Sequence, residues 1–430
     1  MNVEIVTIGD ELLLGFTVDL NAAHIARELA AAGIRIVRRA TVGDSADDIA
    51  SAVQDALDRT GAVITTGGLG PTNDDLTKAS IATIFHRAMR LDNSILESLE
   101  RRWESFGWPG KLPMSNRAQA MVPDGATILA NRHGSAPGVW LEDGNGRWVA
   151  MLPGVPREMR GMLSDELLPR LVPLAGVVPT VISSLTLRTT GLAESAIADR
   201  IDAIEFGAEK LSLAYLPGWE GVDLRLTSQD RSASAASRAL AVSAESLRSV
   251  LGGYVYGEDT TDLAEVVLQL LRQRHWHVAV AESCTGGLLG GRITAVPGSS
   301  EVMLGGVIAY ADEIKQRHLG VRAETLRSHG AVSEEVAREM AIGVRDRFGA
   351  DVGLSVTGIA GPGGGTATKP VGSVCIAVDV GGAVSVARVS TTGDRDEIRR
   401  RSAQLALNLL RRRLQESSLV SPQVQVTGLA

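Results

Sequence analysis

Short apolar runs that stop on glycine or an acid, each followed by a stretch with helical spacing, recur in this chain and limit what it can fold into. Val3–Ile8 leads into Gly9-Asp10-Glu11, and Asn21–Ala32 has helical spacing up to Gly33. Ile34–Arg38 is strand-like, Ala46–Arg59 is helical, and Ala62–Thr66 runs into Gly67-Gly68. This is the rhythm of parallel strands covered by helices. Ala150–Leu152 adds a short strand before Pro153-Gly154-Val155-Pro156 and a helix from Arg157.

The rhythm changes near Pro169–Pro179. Strands at Thr180–Arg188, Lys210–Leu216 and Gly221–Thr227 then mix with helices at Glu194–Ile204 and Ala233–Leu251, as in a small α+β unit. Regular alternation resumes with a helix at Asp262–Gln273 and strands at His277–Ala281, Gly305–Tyr310, Val352–Val356 and Val374–Val380. Ser333–Phe348 is a helix capped by Ser333 with two glutamates in its first turn, and Arg395–Leu414 is the last long helix. At 430 residues the chain exceeds one ordinary core of ~150 residues. The reading is an α/β protein with domains at 1–170, 171–255 and 256–415, and a loose polar tail at 416–430.

Bulk properties exclude some functions. A net charge of −7 and only 3% aromatic residues argue against a nucleic-acid surface or a base-stacking platform. Cys284 and Cys375, without paired spacing, read as thiols of a reducing compartment. No apolar run approaches the ~18 residues of a membrane span, so a cytoplasmic protein with no membrane partner is expected.

Two glycine-rich strand ends carry the chemistry. In Thr65-Thr66-Gly67-Gly68-Leu69-Gly70-Pro71-Thr72-Asn73-Asp74-Asp75, glycines let the backbone approach an anion, and their N–H groups can form a phosphate nest. Carboxylates beside phosphate repel it unless a divalent cation lies between, so Asp74 and Asp75 suggest Mg²⁺ or a similar hard metal. Asp10, Glu11 and Asp44 stand at two further strand ends, which in an open parallel sheet converge on one crevice. Each acid could equally cap the next helix.

Ala281-Glu282-Ser283-Cys284-Thr285-Gly286-Gly287 is a strand-to-helix turn that exposes a hydroxyl and aims N–H groups at a developing oxyanion. Ser283 needs a base. His275 and His277 lie too far back along the strand and read as structural, whereas Tyr310 and Lys315 could reach one pocket in a Ser–Lys arrangement. Lys315 would then be buried with a lowered pKa; the bland alternative is a solvated helix lysine. Ser355–Thr366 is a second glycine-rich loop, able to hold a phosphate or ribose through Thr357, Gly358, Gly361 and Gly364.

These segments occur in the order found in a known family. Thr7-Ile8-Gly9-Asp10-Glu11-Leu12-Leu13-x-Gly15 with Asn21, Val42-Gly43-Asp44, the Gly67–Asp75 loop, Gly134-Ser135-Ala136-Pro137-Gly138 and Pro153-Gly154-Val155-Pro156-x-Glu158-Met159 resemble the competence/damage-inducible CinA family. So do Glu282–Gly287 and Tyr310-x-x-x-x-Lys315, and the resemblance spans about residues 1–415. It implies a molybdopterin-binding-like, parallel or mixed sheet domain, a KH-like middle domain and an α/β nicotinamide mononucleotide deamidase domain. The first would be a metal-dependent ADP-ribose pyrophosphatase, with NAD-related dinucleotides as further substrates.

On this resemblance Asp75 is catalytic, and Asp10, Glu11, Asp44 and Asp74 hold the metal. Asn21, Gly67, Gly68, Gly70 and Thr72 bind substrate. Ser283, Tyr310 and Lys315 form a metal-free catalytic set, with Thr285, Gly286 and Gly287 around the substrate. Ala311-Asp312 replaces the Ser-Asn usual after the tyrosine, which bears on substrate orientation. A homodimer is expected. The competing reading is a regulatory or DNA-uptake-associated binding protein with degenerate sites; molybdopterin chemistry at the first site is a third.

Gly218-Trp219-Glu220-Gly221 matches the GxxG pattern of RNA-binding KH domains, but between two strand-like runs it reads as a hairpin turn. Arg399-Arg400-Arg401 and Arg411-Arg412-Arg413 read as solvated or capping arginines of the last helix.

Overall fold

A computed structural model describes residues 1–176, 181–202 and 211–417. The expected end of the helix at Ile204, the strand start at Lys210 and nearly all of the 416–430 tail lie outside the described residues. The chain forms two compact units. One covers Met1–Ser183 and Ser228–Ser237; the other covers Ser184–Thr227 and the chain from Arg238.

The first unit is built on six strands: β1 (Asn2–Ile8), β2 (Arg35–Val42), β3 (Ala62–Thr66), β4 (Thr127–Leu129), β5 (Gly138–Glu142) and β6 (Trp148–Leu152), in the order β2-β1-β3-β6-β5-β4. The first three pairings are parallel and the last two antiparallel, so the sheet is mixed. Strand alternation sends Val3, Ile5 and Ile64 to one core, under the helices Leu20–Ala31 and Pro156–Met162. Val6, Ile8 and Val63 go to the other, under Ala46–Thr60, Thr77–Ile84 and Asn93–Ser105. Both faces are covered, which is why β1 and β3 read as nearly continuous apolar runs. The strands at 127–142 escape sequence reading because they are short and lack a clean period.

In the middle of the chain β7 (Val181–Thr189), β8 (Ser212–Pro217), β9 (Val222–Arg231) and β10 (Val255–Glu258) form a sheet in the order β8-β9-β7-β10. Gly218 N donates to Gly221 O at 2.8 Å between β8 and β9, so the GxxG segment is a hairpin turn.

The carboxy-terminal sheet comprises β11 (Val278–Glu282), β12 (Met303–Ile308), β13 (Val352–Gly358), β14 (Ser373–Val380) and β15 (Ala383–Ser390), in the order β12-β11-β13-β14-β15. β11 pairs in parallel with both β12 and β13, while β14 and β15 add antiparallel strands at the far side. Val278, Val280 and Val356 face the helices Leu263–Arg272 and Arg395–Ser417, and Ala279 and Ala281 face Glu334–Phe348. Ser333 caps that last helix, accepting from Val336 N at 3.3 Å. Among the described residues no helix is long and apolar enough to cross a membrane.

Candidate functional sites

At the carboxyl ends of β1, β2 and β3 the chain turns sharply. Gly67 has φ +110°, and a Cβ there would lie 2.1 Å from Ile8 O, so only glycine lets β3 leave the sheet this close to β1. Thr77 Oγ1 donates to Gly67 O at 2.9 Å and fastens the loop to the helix behind it. Asn21 Nδ2 donates to Thr66 Oγ1 at 3.2 Å and Gly154 O at 2.7 Å, joining two strand ends, while its Oδ1 is buried without a donor. A cavity of about 400 Å³ opens here, lined by Gly67, Gly68, Gly70, Asp44, Glu11 and Asp74 among others.

The acids behave differently from simple helix caps. Asp10 Oδ1 accepts from Asp44 N at 3.2 Å, and Asp44 Oδ2 accepts from Asp10 N at 2.9 Å, so the two brace one another's loops. Burial, followed by the nearby charges of Asp10, Glu11 and Asp74, raises the Asp44 carboxyl above its ordinary range. Such crowding is what a bound cation relieves. Among the described residues no three His, Cys, Asp or Glu side chains converge as a ready metal cage. A hard cation that keeps waters and takes one or two carboxylates beside substrate phosphates does not require one. Glu11, Asp44 and Asp74, which line the cavity, fit that kind of cation, with Asp10 bracing Asp44 behind them.

Asp75 is bonded within its own loop. Its Oδ1 accepts from Gly70 N and its Oδ2 from Thr72 N, both at 2.7 Å, and the Thr72 hydroxyl donates to it as well. Its carboxylate thus organises the loop while also lining the cavity, and the Thr72 hydroxyl is likewise engaged. Asp74 is the exposed acid of the pair, held below the usual carboxylate range first by its bond to Thr72.

Sequence reading missed Lys78. Its buried Nζ donates to Ala118 O and Gln119 O, each at 2.9 Å, and burial lowers its pKa to about 8 against the pull of Asp75. Nothing marks a lysine directly after a threonine as buried until the 114–118 turn is seen to cross it.

In the second unit, parallel pairing of β11 with β12 and β13 brings Ser283, Ala309 and Thr357 to one sheet edge: Ser283 N donates to Val356 O at 2.9 Å, and Ala309 N to Glu282 O at 2.7 Å. Ser283 is only 8% exposed. Lys315, on the helix Asp312–Leu319, is 1% exposed, and its Nζ donates to Tyr310 O at 3.1 Å and Asp312 Oδ1 at 3.3 Å. The reading of a solvated lysine is therefore excluded. The Ser283 hydroxyl makes no hydrogen bond to Tyr310 or Lys315 among the described residues. Tyr310 is exposed, and its hydroxyl accepts from Arg395 at 3.0 Å.

The expected oxyanion donors are in part already used. Glu282 is buried and accepts from Gly287 N at 2.9 Å, Leu289 N at 3.1 Å and Gly290 N at 2.7 Å, while Gly286 N turns back to Ser283 O at 3.2 Å. Cys284 N and Thr285 N have no backbone acceptor among the described residues, and both are directed at the Cys284 sulfur. Burial pushes the Cys284 thiol up to about 12, so it is no nucleophile at neutral pH. The Thr285 hydroxyl is buried without a partner.

The Ser355–Thr366 loop also differs in detail. Thr357 Oγ1 donates to Ala331 O at 2.9 Å and so holds the fold, and Gly358 is needed because a Cβ there would approach Cys284 Sγ to 3.0 Å. Gly361 offers its carbonyl to Arg395, and Gly364 has φ +83° at the exposed tip. The arginines of the last helix do more than cap it. Arg399 donates to Thr285 O at 2.9 Å, and Arg411, 1% exposed and lowered to about 10 by burial, reaches Val255 O at 3.3 Å and Gly253 O. At the hairpin, Glu220 pairs with Arg188 and Arg292, and Gln404 Nε2 donates to Glu220 O at 3.0 Å. Trp219 lies under the guanidinium groups of Arg292 and Arg400 at 5.2 and 5.8 Å. The GxxG tip is thereby occupied by the protein itself.

Comparison with known proteins matches three family patterns in sequence order: a probable molybdopterin binding domain at residues 4–172, a damage-inducible protein CinA KH domain at 184–257 and a CinA C-terminal domain at 260–414. A CinA-like protein of Gemmatimonas aurantiaca is 61% identical over 416 residues, covering 96% of each chain. A CinA-like protein of Desulfovibrio desulfuricans is 42% identical over 417 residues, again covering 96% of each. The crystal structure of the competence/damage inducible protein CihA from Agrobacterium tumefaciens is 41% identical, covering 36% of this chain and 93% of that one, with a TM-score of 0.35. With its mixed-sheet, KH-like and α/β domains in this order, the chain belongs to the CinA family.

Proposed function

We propose that the protein is a bifunctional nucleotide hydrolase. The carboxy-terminal half deamidates nicotinamide mononucleotide: Ser283 attacks the carboxamide carbon, ammonia leaves, and water releases nicotinate mononucleotide. The observation that carries this reading is Lys315, an amine withdrawn from solvent at the strand edge that also carries Ser283. Tyr310 with Arg395 closes the substrate side. The Ser283 hydroxyl would meet Lys315 when substrate is bound, since catalytic hydrogen bonds are commonly long in a free enzyme.

The amino-terminal half hydrolyses the pyrophosphate of ADP-ribose, with NAD-related dinucleotides as further candidate substrates. The Gly67–Gly70 loop takes phosphate, and Glu11, Asp44 and Asp74, with Asp10 behind them, would hold Mg²⁺ or a similar cation, which neutralises charge between phosphate and carboxylates. A regulatory protein with degenerate sites has no use for a buried lysine at the sheet end that carries an embedded serine, nor for acids lining a glycine nest. A homodimer in the cytoplasm is the setting proposed for both reactions.

The test is a crossed assay. Ser283→Ala should abolish ammonia release from nicotinamide mononucleotide and spare Mg²⁺-dependent ADP-ribose cleavage; Asp74→Ala should do the reverse. Retained deamidation in Ser283→Ala would sink the first assignment.

A further inference from the structure

In the second unit a cavity of about 470 Å³ opens where the middle sheet meets the last helix, on ground that neither proposed reaction uses. Its walls are Thr190–Glu194, leading from β7 into the helix Glu194–Ile201, the hairpin Pro217–Val222, and the end of β15 at Ser390–Thr392 beside Arg401 and Gln404 of the last helix.

Arg401 is the group that calls for a ligand. Its neighbours on the helix are matched: Arg399 donates to Thr285 O, and Arg400 pairs with Asp396. Arg401 has neither a hydrogen-bond acceptor nor a carboxylate partner among the described residues, and its Nε is fully buried in that state. A guanidinium drawn out of water without an acceptor is costly, and a bound anion removes the cost.

Donors of other kinds share the cavity. Thr190 lines it at 1% exposure, and its hydroxyl has no partner among the described residues. The amides of Gly191, Leu192 and Ala193 also lack acceptors, and no side chain caps the helix that follows, so its positive end stands open at this wall. A guanidinium, a hydroxyl and a run of backbone amides are donors that a phosphate group takes. The carboxylates at the wall do not cancel them. Glu220 is already bound by Arg188 and Arg292, and Glu194 forms no ion pair with Arg401. Trp219 lines the cavity too, but Arg292 and Arg400 lie over its ring at 5.2 and 5.8 Å, which leaves less of it for a stacked base. The match is to a compact phosphate.

We infer that this cavity is a phosphate site apart from the serine turn, binding inorganic phosphate or the phosphate of a small monoester through Arg401, Thr190 and the 191–193 amides. The site also bears on that turn. Arg401 shares its helix with Arg395 and Arg399, which hold the Tyr310 hydroxyl and Thr285 O, and with Gln404, which accepts from Arg292 at 2.6 Å. Arg292 lies on the helix Leu288–Thr294, directly behind Ser283. An anion that fixes Arg401 steadies both helices around the serine, so it raises kcat for deamidation. This consequence, unlike the binding itself, rests on the deamidase reading above.

Isothermal titration of the full-length protein with inorganic phosphate, and separately with ribose 5-phosphate, tests the site. Affinity should fall about tenfold or more in Arg401→Gln and in Thr190→Val, and Glu194→Gln, which removes the opposing charge, should bind more tightly than the parent. Tighter binding of inorganic phosphate assigns a free anion; tighter binding of ribose 5-phosphate assigns a monoester. Phosphate should raise the melting temperature of the parent and not of Arg401→Gln, which should otherwise melt like the parent. At saturating nicotinamide mononucleotide, where phosphate cannot compete for the substrate's own place, phosphate should raise kcat in the parent and leave Arg401→Gln unmoved. Binding through Arg401 in a parent without deamidase activity would retain the site and reject the deamidase reading. Binding through Arg401 with kcat unmoved would overturn the coupling to the serine turn. An active parent whose phosphate binding ignores all three substitutions would overturn the site alone.

Discussion

Asp75 and Gly70 are joined by a 2.7 Å hydrogen bond from the Gly70 amide to Oδ1, and that bond shuts the glycine loop into the shape a phosphate would meet. With Oδ2 engaged by Thr72, the carboxylate is a structural brace. Asp75→Ala would leave loop amides unpaired, at a cost of about 1–3 kcal/mol. We expect a lower melting temperature and a KM for ADP-ribose raised more than kcat is lowered. Asp75→Asn keeps one acceptor oxygen and should recover part of both. Equal melting temperatures for Asp75→Ala and the parent would contradict the brace.

Lys78 makes stability depend on pH in a definite direction. Its folded pKa is lowered by burial to about 8 from an ordinary 10.5. Below pH 8 both folded and unfolded chains carry the charge, and the full burial penalty is present. Between about pH 8 and 10.5 the folded chain has lost the proton and the unfolded chain has kept it, so this group makes stability rise with pH. At ~1.4 kcal/mol per unit the gain approaches about 3 kcal/mol. Urea unfolding of the parent and of Lys78→Met from pH 7 to 10.5 checks this: the stability difference, parent minus variant, should climb across that window. A flat difference would show that Lys78 titrates normally in the fold.

Glu282 fixes the turn that carries Ser283. Its buried carboxylate satisfies three amides at the start of the helix Leu288–Thr294, where the helix dipole also favours a negative charge. Glu282→Ala should cost at least about 3 kcal/mol by leaving those donors buried without partners. Glu282→Gln should fall between, since its amide nitrogen must face one of the N–H groups. Chemical unfolding gives the stabilities, and ammonia release should decline in the same order.

Much of this architecture was legible in the chain. β1, β3, β11 and β13 are buried on both faces, so their apolar runs announced them, and glycines such as Gly67 marked where each strand had to turn. The hairpin at Gly218–Gly221 was equally plain. What stayed hidden depended on distant segments. The short strands between Thr127 and Glu142 have too few residues to show a period. That Asp75 also braces its loop was hidden, because sequence gives the residue type but not the two loop amides and the threonine hydroxyl that bond its oxygens. Arg399 and Arg411 read as surface arginines of a basic helix, although one reaches the serine turn and the other lies buried against Gly253 and Val255. Glu282 stood in plain view next to Ser283, and the positive end of the helix behind it was the available clue to its partner.

Lys315 gives the sharpest test of the carboxy-terminal chemistry. The side chain is 1% exposed, and its Nζ lies against a carbonyl and the Asp312 carboxylate. Methionine has nearly the same length and flexibility, so Lys315→Met fills the same space without a titratable group, and the fold should survive because the partner Asp312 is exposed and stays hydrated. If Lys315 takes the proton of Ser283, this variant should lose deamidation by about 10²–10⁴-fold, the contribution typical of a general base. Lys315→Arg, always charged and too large for the space, should lose as much and also lower the melting temperature. The comparison that matters is activity at unchanged stability. A Lys315→Met protein that melts like the parent and still releases ammonia at a parental rate would leave Ser283 without its base and return the lysine to a purely structural role.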